Sequence, residues 1–182
     1  RGLRAPEKGK TCEPWRLNRQ LSMQTFETRQ RVAHGANDMY ALVANVEDYP
    51  KFLPLCEALS IVRREAVGDR EVLMADMEVG YKLIREQFTS RVTLDPSSRL
   101  ILVEYVDGPF EHLENRWTFE PRGTDSSEID FYIAYKFRSR LFERLVGSLF
   151  DKAVRKYTNA FEQRADEVYG AKNNARASSD SR

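Results

Sequence analysis

The chain has 182 residues, a size suited to one domain, and its 41% hydrophobic and 11% aromatic residues can supply a core. Charged residues make up 31%, net charge is +1 and mean hydropathy is −0.60, values of a globular chain; no apolar run nears the eighteen residues that would cross a membrane. Residues 1–22 carry a net +4 and residues 170–182 a net +2, leaving 23–169 at −5, which argues against a surface built to hold phosphate backbones and makes DNA an unexpected partner.

Residues 1–22 are rich in arginine and have little periodicity and no apolar core of a secretory signal. They read as a disordered or non-native extension, with Met23 the expected native start. Glu7, Glu13 and the single Ser22 argue against a mitochondrial transit peptide. Residues 24–33 predict a first strand. Gly35 or Asn37 can then cap a short helix over 37–46, with Met39, Leu42, Val43 and Val46 at helical spacing. In Tyr49-Pro50-Lys51-Phe52-Leu53-Pro54-Leu55-Cys56, two prolines four apart exclude a regular helix or a central strand. The segment is a stiff apolar elbow that must pack on core or on a ligand.

Six alternating runs follow, at 58–66, 71–81, 82–94, 99–107, 111–121 and 127–138. They are separated by turn residues such as Gly68-Asp69, Asp95-Pro96-Ser97-Ser98 and Asp107-Gly108-Pro109. In the last run Ile129, Phe131, Ile133, Tyr135 and Phe137 share one face; such alternation predicts an antiparallel sheet with one covered side. From about 138 to 168 the period becomes 3.6. Leu141, Leu145, Leu149 and Ala153 form one row, and Phe142, Val146, Phe150, Val154, Tyr157 and Phe161 another. Together they predict one long helix of about eight turns lying across the sheet. Residues 170–182 read as a disordered tail. Cys12 and Cys56 sit in unrelated contexts and suggest neither a disulfide framework nor zinc, so the chain reads as cytoplasmic, in a reducing compartment.

Strand, short helices, six antiparallel strands and a long C-terminal helix give the order of an α+β helix-grip fold over 23–169. Val46–Cys56, Asp107-Gly108-Pro109-Phe110-Glu111-His112-Leu113, Trp117-Thr118-Phe119 and Phe161-Glu162-Gln163-Arg164-Ala165 together resemble the START-like polyketide cyclase superfamily, in its coenzyme Q-binding branch. The resemblance implies a cavity between sheet and long helix that holds ubiquinone as a bound ligand. It also implies peripheral contact with the inner membrane and service to respiratory complexes. Bacterial members of the branch are also called ribosome-association toxins, which implies the large ribosomal subunit as an alternative partner. The mitochondrial matrix side is the alternative location. A cyclase-type enzyme is a third reading.

Residues that catalyse are hard to find. His34 and His112 read as structural or surface residues, no nucleophile elbow or phosphate loop is present, and no catalytic residue, metal or cofactor is expected. Glu86 shares the apolar face of Ile84, Phe88 and Val92, where a protonated carboxyl can bond a quinone carbonyl; the plainer alternative pairs it with Arg85 or another basic residue at the sheet edge, or bulges the strand. Tyr81, Tyr105 and Tyr135 offer an aromatic body with a hydroxyl, and Phe88, Trp117, Phe131, Leu145 and Leu149 complete the expected wall. The proline elbow and Gly108-Pro109-Phe110 can be simple structural corners; the resemblance implies instead that Tyr49, Pro50, Phe52, Leu53, Pro109 and Phe110 form a portal, with Phe52-Leu53 exposed at the membrane. Arg138, Arg140, Arg144, Arg155 and Lys156 are the basic patch a ribosomal partner would use.

Overall fold

The structure, a computed structural model, describes residues 23–171. The expectations for 1–22 and for most of 170–182 lie outside the described residues. Strand β1 (Gln24–Val32) leads to helix α1 (Ala36–Ala44), and a 3-10 turn (Val46–Lys51) carries the elbow. Then come β2 (Cys56–Val67), β3 (Arg70–Tyr81), β4 (Ile84–Asp95), β5 (Leu100–Asp107), β6 (Phe110–Pro121) and β7 (Ser127–Phe137), followed by α2 (Arg140–Val154) and α3 (Tyr157–Tyr169). The seven strands form one antiparallel sheet in the order β1-β7-β6-β5-β4-β3-β2. It is a meander from β2 to β7, closed at one edge by the first strand.

Alternation fixes which side is covered. Leu73, Val92, Val103, Asn115, Ile133 and Phe26 are register partners in a row across six strands. Every second residue falls on the same face, because strand side chains have period two. All but one of that row are apolar, and that face meets the helices. The turns follow from their residues. Asp95 caps the β4–β5 turn by accepting from Ser98 N–H at 3.1 Å and Arg70 Nε at 2.7 Å. Gly108 turns β5 into β6 at φ +131°, a conformation open to glycine.

The single long helix expected over 138–168 is two helices. No proline or glycine stands at the break. Arg155 and Lys156 have ψ opened to −14° and −6°, and Lys156 N–H donates to Ala153 O, three residues back instead of four. Each half has its own partners. Phe150 of α2 packs on Tyr135, Phe137 and Phe110, with ring centroids 4.8, 5.8 and 5.5 Å away. Phe161 of α3 packs on Tyr49, Phe52 and Trp117 at 5.1–5.2 Å. The expected inward row of Leu141 and Leu145 is also corrected: these two are 68% and 62% exposed, while Phe142, Val146 and Phe150 face the sheet.

His34 is structural. It is buried beneath α3, with Nε2 2.7 Å from Asp166 Oδ1, and its carbonyl accepts from Ser127 Oγ. This polar clasp, with the exposed Tyr169 ring 6.3 Å from the imidazole, ties α3 to the end of β1.

Candidate functional site

The elbow is a structural clamp at one end of the covered face. Tyr49 Oη donates to Val43 O, Leu53 N–H donates to Tyr49 O at 2.8 Å, and Tyr49 and Phe52 sit edge-on to Phe161. The prolines keep the segment from rejoining a helix, so Leu53 is held inward. At the other end, Gly108 lets the β5–β6 turn lie on β4, and Tyr105 Oη donates to Gly108 O at 2.7 Å. Phe110 is thereby buried among Phe88, Tyr105, Phe137 and Phe150. Tyr49 and Leu53 of the elbow thus wall one space, and Pro109 and Phe110 the space beside it.

Three adjoining spaces run between sheet and helices. The innermost is a cavity of about 80 Å³, with Tyr49, Leu53, Phe88, Val92, Trp117 and Phe161 in its wall. The second, of about 40 Å³, lies toward α2 and is lined by Leu55, Tyr81, Glu86, Pro109, Phe110 and Leu149 among others. Val79 and Phe150 belong to both and separate them. The third is an open cleft of about 450 Å³ between α2 and the β3–β4 hairpin, and it shares Tyr81, Ile84 and Leu149 with the second.

Few polar groups touch the inner cavity: Tyr49, Ser90, Asn115 and Tyr157. Asn115 is the polar member of the apolar row across the sheet. Its Nδ2 donates to Tyr132 O and its Oδ1 accepts from Trp117 Nε1, both at 2.8 Å. The hydroxyls of Ser90 and Tyr157 have no hydrogen-bond partner among the described residues. Burial pushes the pKa of Tyr49 and Tyr157 far above the ordinary phenol value and the nearby Cys56 thiol up to about 12. These groups therefore act as neutral donors and acceptors. Among the described residues no histidine or carboxylate lines the inner cavity and no cluster is suited to a metal ion.

The expected site residues divide accordingly. Tyr49, Leu53, Phe88 and Trp117 line the inner cavity; Tyr81, Glu86, Pro109, Phe110 and Leu149 line the second space; Leu145 lines only the outer cleft. Pro50, Phe52, Tyr105, Phe131 and Tyr135 line none of the three. Phe131 is buried under Trp117 at 4.4 Å, Tyr135 packs on Phe150, and Phe52 is covered by Phe161 with Arg164 over its ring. The Phe52-Leu53 pair, expected to be exposed, is not: Leu53 is buried and Phe52 is half-buried. The widest of the three spaces lies at the other end, beside the hairpin tip. Glu86 is not paired with Arg85, which binds Glu57 at 2.8 Å; Glu86 faces the second space without an ion-pair partner among the described residues. Of the expected basic patch, Arg138 is taken up by Phe110 O and the Tyr105 ring, and Arg155 by Asp151. Ser90, Asn115 and Tyr157 went unselected from sequence, although Ser90 and Asn115 interrupt apolar faces in register.

Residues 32–162 match the family described as polyketide cyclase / dehydrase and lipid transport. The chain belongs to this family. Within reach of it, the chain is 35% identical over 153 residues to the ribosome association toxin RatA of Escherichia coli strain K12, covering 84% of this chain and 94% of the relative. It is 31% identical over 151 residues to the mitochondrial coenzyme Q-binding protein COQ10 of Dictyostelium discoideum, covering 82% of this chain and 72% of the relative. Its fold matches the Zhui aromatase/cyclase of a Streptomyces species with a TM-score of 0.66 at 17% identity, over 80% of this chain and 95% of that one. The START-like helix-grip fold is thus established. Family members bearing these names include binding proteins and toxins, while a cyclase shares the architecture. No helix of the described residues is long and apolar enough to cross a membrane.

Proposed function

We propose that this chain binds an isoprenoid quinone, ubiquinone foremost, between its sheet and its two C-terminal helices, and shields it from water without changing it chemically. The observation that carries this reading is the line of three apolar spaces joined by shared wall residues, from the Trp117 wall to the hairpin tip. A ring with two carbonyls suits the inner end, where Ser90 and Tyr157 offer unused hydroxyls; a hydrocarbon tail suits the Val79–Phe150 passage and the outer cleft. Burying a tail is worth about 0.8 kcal/mol per CH₂. The coenzyme Q-binding relative supports the choice of ligand.

The two inner spaces, of about 80 and 40 Å³, are smaller than the roughly 300–1,000 Å³ of ordinary ligand pockets. Loading therefore requires α2 to move outward, and α2 is held mainly by Phe142, Val146 and Phe150. On this reading the chain works at the periphery of a membrane, supplying respiratory enzymes. A cyclase reading would need an acid and a base in one space; Glu86 stands without such a partner.

A second reading is translation inhibition through the large ribosomal subunit. The ribosome-association relative supports it, and so do Arg140, Arg144 and Lys152, exposed on α2 without ion-pair partners among the described residues. Organic extraction of the purified protein followed by mass spectrometry tests the first reading. A quinone near one per chain is expected. Absence of quinone, with no quenching of Trp117 fluorescence by added short-chain ubiquinone, overturns it.

A further inference from the structure

The outer end of the three spaces has a surface that neither the cavity nor the fold requires. Leu83, at the tip of the β3–β4 hairpin, is 100% exposed. Across the cleft Leu145 stands out from α2 with Tyr81 also in the lining and partly exposed, and Leu141 is exposed one turn before Leu145 on the same helix. Single exposed leucines are unremarkable, but several large apolar side chains around one opening mark an interaction site.

The hairpin tip also departs from ordinary turn chemistry. Two residues, Lys82 and Leu83, join the strands, and Lys82 has φ +58°, where such turns favour asparagine, aspartate or glycine. A cation and a leucine stand at the tip in place of the residues that would make the turn most easily. A local departure of this kind, at the mouth of a cavity, fits a functional demand.

Charge supplies the third observation. Lys82, Arg140, Arg144 and Lys152 are exposed around the leucines, and none has an ion-pair partner among the described residues. On the sheet most cations are engaged, among them Arg85 with Glu57, Arg91 with Glu104 and Lys136 with Glu111. On the hairpin, Glu78 lies 3.9 Å from Arg85, while Glu86, turned to the second space, and Glu143 on α2 have no ion-pair partner among the described residues, so cations outnumber free acids on this face four to two.

We propose that the β3–β4 hairpin tip and the outer face of α2 form a docking surface for an anionic lipid bilayer. Leu83, Leu141 and Leu145 enter the acyl boundary, while Lys82, Arg140, Arg144 and Lys152 meet the headgroups. Leucines at the same depth as cations match a bilayer interface. A nucleic acid engages cations and flat aromatic faces and gives aliphatic tips nothing to enter. The docked orientation sets the open cleft against the lipid, so that cargo passes into the Tyr81–Leu149 space without crossing water. This passage of cargo rests on the quinone reading; the docking itself does not.

The test is flotation of the full chain with vesicles of phosphatidylcholine containing phosphatidylglycerol, against pure phosphatidylcholine. The paired substitution Leu83→Ser and Leu145→Ser leaves charge unchanged, so any loss belongs to the leucines, and flotation at raised salt screens the contribution of the basic residues of 1–22. Both side chains are exposed, and unchanged melting confirms the fold. Expected are preferential binding to the anionic vesicles and a loss on the order of tenfold per leucine, from the apolar area each withdraws. Lys82→Glu with Lys152→Glu is expected to abolish the anionic preference. A wild type that does not float, or a double serine variant that floats as well as wild type, overturns the proposal. So does a face whose charge reversal abolishes binding to large ribosomal subunits while the leucines matter to neither partner. Quinone content, measured on the same samples, separates the two ideas: flotation without quinone leaves docking standing and removes the cargo.

Discussion

Gly108 lies so close to Phe88 that a Cβ on the glycine would sit 2.6 Å from the Phe88 Cβ and 2.9 Å from Gln87 O. Both neighbours belong to β4, whose position is fixed by pairing on either side. The backbone itself is at φ +131°. Gly108→Ala therefore combines a strained conformation with a contact that backbone must yield to. A loss of about 3 kcal/mol is expected, from strain and overpacking together. At roughly 2–4 °C per kcal/mol for a domain of this size, Tm should fall by about 10 °C. A change below about 2 °C in a thermal melt would show that the turn can shift without cost.

Asp95 gives a prediction in pH. Its carboxylate accepts from the Ser98 backbone and also from Arg70, and these bonds hold its pKa below the ordinary aspartate value. A depressed folded-state pKa contributes stability above the unfolded pKa of about 3.9, and that contribution disappears as pH falls through the folded value. Asp95→Asn should therefore be less stable than wild type near neutral pH. The two melting curves should converge as the solution is acidified below about pH 4. A difference independent of pH would assign the effect to turn geometry instead of charge.

The two unused hydroxyls in the inner cavity predict how the ligand is oriented. Ser90→Ala and Tyr157→Phe each remove a donor that has no other partner, so the fold should be little affected. Each should weaken ubiquinone binding by about tenfold, the worth of one net hydrogen bond at the upper end of its range. A polyprenol of matched tail length, which lacks the carbonyls, should bind the variants and the wild type alike. Fluorescence titration of both ligands checks this; equal losses for both would place the hydroxyls away from the head group.

Phe52→Asp tests whether the elbow acts as a clamp. Phe52 lies against Phe161 and Tyr49 with Arg164 over its ring. The substitution removes the clamp between the elbow and α3, and a loss of roughly 2–3 kcal/mol is expected. Urea denaturation should show it in the absence of any ligand. Full stability with selective loss of quinone would place the portal at this end.

The strands were legible because each sets apolar residues two apart over most of its length, and because turn residues separate them. Ser127–Phe137 and Arg70–Tyr81 fall within a residue or two of their expected limits. The helix break was not legible, because the apolar stripe runs through Arg155–Lys156 without a helix breaker and only tertiary partners differ on either side. Leu141 and Leu145 continue a helical row that also faces inward at Ala153, so periodicity alone could not show that α2 stands off the sheet there. Asn115 and Ser90 were legible in principle. Alternation puts both on covered faces, the same reasoning that singled out Glu86. Tyr157 was not: its hydroxyl is unusual only because nothing nearby accepts from it.

The interruption at Arg155–Lys156 has a kinetic consequence. With the hydrogen-bond ladder broken there, α2 can leave the sheet as a separate lever while α3 stays fixed by His34–Asp166 and the Phe161 cluster. On the quinone reading, the residence time of a bound molecule would be governed by how firmly Phe142, Val146 and Phe150 seat, and the lifetime of the whole fold by other residues. Substitutions at these three positions would then change release without changing the lifetime of the fold.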